Sequence, residues 1–293
     1  MYAVLRKTFI KNMKQLSTTD HSRDIAGLKY IYPVLSRRAG GVSIGINFNT
    51  NNACNWRCVY CQVPDLQRGV APSIDFTLLE NELHYFFQHL QAGAFYTQFN
   101  VPQTLQQIKD IALSGNGEPT SVQEFARAID LVAETALNYQ ILPDCHFVLI
   151  TNGSLIHQKN VQQGLQRLQH YGGEVWFKID SSSLQGRKRI NDCRDDNDRI
   201  IEKLQRSSQL CHSKIQTCLF DYSRFPWNEQ AQQDFVRFFQ QIKVQCDIRE
   251  VMLYTLARPS LQPEANKLRA LTPTEMNTFA QKIECLGFTV SVA

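Results

Sequence analysis

Past residue 40 the chain alternates six times between a short apolar segment and a longer amphipathic one. The segments "VSIGINFN", "KDIALSG", "HFVLITNG", "EVWFKID", "KIQTCLFD" and "IREVMLYTL" have the length and content of strands. Each is followed by a stretch with helical spacing, from "SIDFTLLENELHYFFQHLQ" to "TPTEMNTFAQKIECLG". Ser73 or Asp75 is placed to cap the first helix, and Thr272 with Pro273 at N1 opens the last. A terminal "FTVSV" adds a candidate strand. Strict β-then-α order argues for a parallel sheet covered by helices, and the apolar runs suit strands buried under them. Six units are too few to close an eightfold barrel, so the expected fold is α/β, a partial (β/α)6 TIM-like barrel. A doubly wound open sheet is the competitor that periodicity does not exclude. In both, ligands bind at the carboxyl ends of the strands. No linker divides the chain, giving an N-terminal extension over 1–40, packed on a barrel over 41–293.

Composition narrows the setting. The chain has 293 residues, 43% hydrophobic and 20% charged, as expected for a soluble globular protein. No window reaches the ~18 consecutive apolar residues of a membrane span. The opening "MYAVLRKTFIKNMKQL" is basic and amphipathic but lacks an apolar run with a cleavage site, so it reads as a surface helix. The expected location is the cytoplasm, without membrane contact. Nine cysteines in that reducing setting read as metal ligands, catalytic groups or buried apolar residues, not disulfides. A net charge of +4 does not announce a nucleic-acid partner, although "GRKRI" leaves one open. That basic run, with the acidic "DCRDDND" after it, is expected on a solvated loop.

Cys54, Cys58 and Cys61, in "ACNWRCVYCQ", follow directly on the first of these strands. Their spacing lets one loop wrap three soft thiolates around a metal centre, and such ligands select zinc, copper(I) or iron–sulfur clusters. Three-cysteine zinc needs a fourth ligand, and the nearest histidines, His21 and His84, lie outside the loop. A four-iron cluster with three protein thiolates keeps one iron open to a small molecule.

The run Cys54-Asn-Trp-Arg-Cys58-Val-Tyr-Cys61 resembles the cluster signature of the radical S-adenosylmethionine superfamily. Together with "YPVLSRRAGGVSIGIN", "SGNGEPT", "ITNGS" and "LYTLARP", it is similar to a branch of Fe–S oxidoreductases distantly related to the wyosine-forming tRNA enzymes. The likeness runs from about Tyr32 to near the C-terminus. It implies a partial (β/α)6 barrel and a [4Fe–4S] cluster on Cys54, Cys58 and Cys61. S-adenosylmethionine would chelate the open iron through its amino and carboxylate groups. Reductive cleavage would give methionine and a 5′-deoxyadenosyl radical, which abstracts hydrogen from an unknown substrate. An electron donor of flavodoxin or ferredoxin type is implied.

The resemblance also assigns cofactor-binding residues. Gly115, Gly117 and Glu118 in "SGNGEP" are similar to a Gly-Gly-Glu motif that meets the methionine ammonium, with Asn116 replacing the first glycine. Asn152, in "ITNGS", would face the sulfonium and ribose; an Asn-Gly turn with Ser154 as a helix cap is the plainer reading. Tyr60 would pack on the adenine or offer its backbone to it, and Trp56 would shield the cluster from water. Lys178 and Asp180 point to one side of a strand. Inside the barrel Asp180 would accept from the ribose hydroxyls; on its outer side the two form a simple ion pair. Many relatives carry serine at the position of Lys178. Tyr254 and Arg258 match a late Arg-Pro feature, with Arg258 either binding an anionic substrate group or standing at the surface. Ser36, Arg37 and Arg38 belong to the branch pattern without an assigned role. Cys145, Cys193, Cys211, Cys218, Cys246 and Cys285 lack clustered spacing and read as small buried hydrophobes. Wyosine-like base modification of tRNA is one specific activity, although those enzymes are expected to carry a second cysteine cluster. A radical activase of a partner protein is another, and a metal-binding module for RNA or protein is the non-enzymatic alternative.

Overall fold

A computed structural model of the chain describes residues 15–17, 23–36 and 40–293. The N-terminal surface helix, Arg37, Arg38 and His21 lie outside them. Eight strands form one sheet, numbered here in chain order. They are β1 (Ile31–Ser36), β2 (Gly41–Ile46), β3 (Ile108–Leu113) and β4 (His146–Thr151). β5 (Glu174–Lys178), β6 (Ser213–Cys218), β7 (Glu250–Tyr254) and β8 (Thr289–Val292) complete it. From β2 onward every pair is parallel, and each strand lies beside its successor in sequence. That order decides between the two expected folds. A doubly wound sheet reverses direction part-way, whereas this one advances always the same way, so its helices share one face and the sheet curls into a partial barrel.

The crossovers are α1 (Phe76–Gln91), α2 (Phe125–Asn138) and α3 (Lys159–His170), then α4 (Leu184–Asn191) with α5 (Asn197–Leu210), α6 (Glu229–Gln245) and α7 (Pro273–Glu284). The caps follow the sequence signals. Asp75 accepts from the Leu78 N–H at 3.0 Å, and Thr272 forms a reciprocal capping box with Glu275. Among the described residues no helix is long and apolar enough to cross a membrane.

Strand side chains divide by parity. Ile44, Ile111, Phe177 and Ile215 are fully buried in the apolar cluster beneath the helices. Their neighbours Ser43, Asp110, Trp176 and Gln216 line the concave side. One face is therefore dry and packed, and the other bounds a lumen lined by both polar and apolar side chains.

Two segments differ from expectation. Residues 31–36, placed by sequence in the N-terminal extension, are β1, paired antiparallel with β2 from Ile31↔Ile46 to Ser36↔Gly41. Pro33 is tolerated because β1 is an edge strand, where a missing donor disrupts no second ladder. "GRKRI" is not a solvated loop but part of α4. Arg187 is 2% exposed, with its guanidinium donating to the Ser181 and Asp195 carbonyls and to Asn197 Oδ1. Lys188 and Arg189 do face solvent.

Gly164 shows how tightly the outer layer is packed. A Cβ there would lie 2.2 Å from Cδ1 of Phe125, which is fully buried on α2. An exposed mid-helix Gly→Ala gains roughly 0.5–1 kcal/mol. Here the sign reverses, and Gly164→Ala is expected to cost about 1–3 kcal/mol through overpacking. A lowered denaturation midpoint is the predicted readout; a raised one would show that Phe125 yields freely.

Candidate functional site

A cavity of ≈ 560 Å³ occupies the lumen and reaches the carboxyl ends of the strands. Cys54, Cys58 and Cys61 all line it. They stand on the long segment between β2 and α1, whose only strand pairing is Ala53–Cys54 against Gln67–Arg68. Backbone groups without a ladder must find partners elsewhere. Arg57 N donates to Asn191 O at 3.0 Å, Val59 N to Ile190 O at 2.8 Å and Leu261 N to Cys61 O at 3.0 Å. Ser260 Oγ donates to Val59 O, and Arg57 forms a two-pronged ion pair with Glu264 at 2.8 and 3.1 Å. The end of α4 and the segment after β7 thus grip the cysteine loop from two sides.

The loop resembles a thiolate site in its donors. Trp56 N–H points at Cys54 Sγ at 3.4 Å, Cys61 receives backbone N–H groups of Val63 and Gln62, and Cys58 receives the side-chain amide of Asn191 at 3.2 Å. Burial pushes the Cys54 thiol up to about 11 and raises Cys58 and Cys61 as well. Metal binding then has to supply the charge that makes them thiolates. Among the described residues no three His, Cys, Asp or Glu side chains are arranged to hold a metal ion. A four-iron cube takes one thiolate per iron, so its ligands ring a space instead of meeting at a point. Three thiols around one cavity, each facing N–H donors, fit that group.

Gly115, Gly117, Glu118 and Asn152 line the same cavity. Both glycines are required by close packing. A Cβ on Gly117 would fall 2.0 Å from Ala53 O, and Gly115, at φ +142°, presses on the Asn47 side chain. Glu118 is 2% exposed and ties two strand ends together. Its Oε1 accepts from Thr151 Oγ1 and Thr120 Oγ1, each at 2.6 Å, and from Thr120 N, while Oε2 accepts the Asn152 N–H at 2.8 Å. Asn152 belongs to a closed ring: its Nδ2 donates to Asn55 Oδ1, Asn55 Nδ2 to Ser154 Oγ, and Ser154 Oγ to Asn152 Oδ1. Sequence reasoning passed over Asn55 and Asn191. The signal for Asn55 was present in "NFNTNNACN", a density of asparagines typical of loops held by side-chain-to-backbone bonds.

Tyr60, Lys178 and Tyr254 form the opposite wall. Asp180 is brought next to them but does not line the cavity. Its fully buried carboxylate accepts from Tyr60 OH at 2.5 Å, Asn191 Nδ2 at 2.8 Å and Cys218 N at 3.1 Å, with Lys178 Nζ at 3.7 Å. Standing behind the wall and held by these groups, it does not reach the cavity where a ribose would lie. Lys178 and Asp180 do share one side, and Lys178 Nζ also reaches Tyr254 OH at 3.1 Å. Burial alone would lower the Lys178 pKa, but Asp180 and Tyr254 hold it well above the usual lysine value. Arg258 faces the cavity with Nε donating to Gln62 Oε1 at 2.8 Å, and Trp56 is 5% exposed. Cys218 is a buried hydrophobe, as read, that also borders the cavity. Cys285 departs from that reading: α7 ends one residue before it and it is exposed, while Cys145 is half-buried.

No family model matches the chain. Among curated proteins it matches a GTPase Obg of Brachyspira hyodysenteriae at 23% identity over 133 residues, 45% of this chain. It spans only 17% of that protein's length. Solved structures share the fold over most of this chain. A radical SAM methyltransferase from Sphaerobacter thermophilus aligns with TM-score 0.55 at 12% identity, over 90% of this chain and 69% of its own. A single-site mutant of spore photoproduct lyase gives 0.53 at 9% identity, over 82% and 74%. SuiB of Streptococcus suis bound to S-adenosylmethionine gives 0.51 at 10% identity, over 87% of this chain but 48% of SuiB. The fold is the partial barrel of the radical S-adenosylmethionine enzymes.

Glu118 gives the site a pH signature. Burial raises its pKa above 4.5 despite four donated hydrogen bonds. The folded chain therefore holds this proton more tightly than the unfolded chain. The group's contribution to stability is full below the unfolded value and declines as pH rises through the folded one. Glu118→Gln is expected to remove that decline, and at neutral pH to cost about 1–3 kcal/mol, since its amide faces donors. Denaturation midpoints measured across pH check both; an unchanged slope would contradict the assignment.

Proposed function

We propose that this chain is a radical S-adenosylmethionine enzyme. The observation that carries the reading is the meeting of three loop thiols with Glu118 and Asn152 around one cavity, at the strand ends of this fold. The bound [4Fe–4S] cluster would supply one electron to cleave S-adenosylmethionine into methionine and a 5′-deoxyadenosyl radical that takes hydrogen from a substrate. Cys54, Cys58 and Cys61 would hold the cluster and would leave one iron for the amino acid moiety. Gly115 and Gly117 let the backbone close on the cysteine loop. Glu118 Oε2 carries one donor and keeps acceptor capacity for an ammonium group. Asn152, fixed by Asn55 and Ser154, presents its remaining amide hydrogen to the ligand. Tyr60 forms the wall beside the adenosine, and Asp180 acts by orienting Tyr60 and Lys178. Buried Trp56 keeps water from the thiolates. The electron donor would be of flavodoxin or ferredoxin type, and free thiols at the site suit a reducing cytoplasm.

Anaerobic reconstitution with iron and sulfide is expected to give about four irons per chain, lost on replacing the three loop cysteines by alanine. Dithionite with S-adenosylmethionine should then yield 5′-deoxyadenosine. Stoichiometric zinc with no deoxyadenosine would overturn the reading. Asn55→Ala, which unsettles Asn152 without touching a thiol, should keep its iron and lose roughly 10–100-fold in deoxyadenosine formation. Full activity in that variant would remove Asn152 from the ligand contacts.

A further inference from the structure

We infer that Asn191 sets the reduction potential of the cluster by donating its side-chain amide to the Cys58 thiolate. The inference rests on the functional reading above and concerns a residue outside the cysteine loop, at the last position of α4.

The donors at the three sulfurs are not equivalent. Cys54 and Cys61 receive backbone N–H groups, which no side-chain substitution removes. Cys58 receives the Asn191 amide, Nδ2 to Sγ at 3.2 Å. The contact is enforced from both ends. Asn191 O accepts from Arg57 N and Ile190 O from Val59 N, so the residues flanking Cys58 are fastened to the turn that carries the amide. Asn191 itself has no solvent exposure.

The orientation of the amide is also fixed. Nδ2 donates its other hydrogen to Asp180 Oδ2 at 2.8 Å. An ionised carboxylate and a thiolate are both acceptors, so a flipped amide would turn its oxygen toward two negative groups. Oδ1 is left buried with no partner. A buried unsatisfied acceptor in a native fold calls for an explanation. It has one if the NH₂ group is needed where it points.

A hydrogen bond to sulfur strengthens as the sulfur becomes more negative. Reduction adds an electron to the cluster, so the Asn191 bond favours the reduced form and raises the potential. Asp180 pulls on the same NH₂ group and is itself engaged by Tyr60 and Lys178. The cavity wall and the cluster's sulfur are therefore linked through one amide.

The test compares the reconstituted wild type with Asn191→Leu, which removes the donor, and Asn191→Asp, which keeps the shape and substitutes acceptors. Iron per chain is counted, and the midpoint is read by potentiometric titration followed by electron paramagnetic resonance. Both variants are expected to load about four irons. Their reduced-to-oxidised ratio at a fixed poise should fall about tenfold, a shift of about 59 mV to more negative potential. Iron-replete variants with the wild-type midpoint would overturn the inference alone. So would loss of iron in both, which would make Asn191 a clamp and not a tuning group. A wild-type chain that takes up no cluster would overturn the functional reading, and this inference with it.

Discussion

The cysteine loop leaves the sheet at Ile46 and does not rejoin regular structure until α1, apart from one two-residue pairing. A loop with so little regular ladder must satisfy its backbone polar groups through its own side chains and turns and through its surroundings. Much of the site follows from that constraint. The end of α4, the segment 260–264 and the asparagines of "NFNTNNACN" each satisfy part of it. In doing so they hold three thiols around one cavity.

The lumen shows the same economy in its charges. Half-buried Lys178 and fully buried Asp180 stand 3.7 Å apart, and each makes further bonds to neutral donors or acceptors. A buried charge is tolerated when paired and hydrogen-bonded. Here the partners are the residues that form the cavity wall and touch Cys58, so satisfying the charges also builds the site. Glu118 does the same on the opposite side, joining the loop after β3 to the end of β4.

The fold was legible because its signal is long-range and repetitive. Each β-then-α unit carried its own period, and the order of units specified a parallel sheet. What failed was local. β1 contains Pro33 and sits beside a glycine turn, so it lacked a strand signature, and only pairing with β2 reveals it. α4 was hidden by charge, because a buried Arg187 cannot be told in sequence from an exposed one. At the site, Cys54, Cys58 and Cys61 stood out through spacing and residue type, and Glu118 through the resemblance of its motif. Asp180 was found, but its environment was not: whether a carboxylate meets a ligand or four protein groups depends on Tyr60, Asn191 and Cys218, which are far apart in sequence. Asn191 gave no signal, since its meaning comes wholly from being packed against Cys58.

The central claim is that three thiolates leave one iron open and that the cavity places S-adenosylmethionine on it. Electron paramagnetic resonance of the reduced, reconstituted protein with and without S-adenosylmethionine tests it most directly. The account predicts a single four-iron signal whose g-values change when S-adenosylmethionine is added. A signal that S-adenosylmethionine leaves unchanged, in protein holding its full complement of iron, would contradict it.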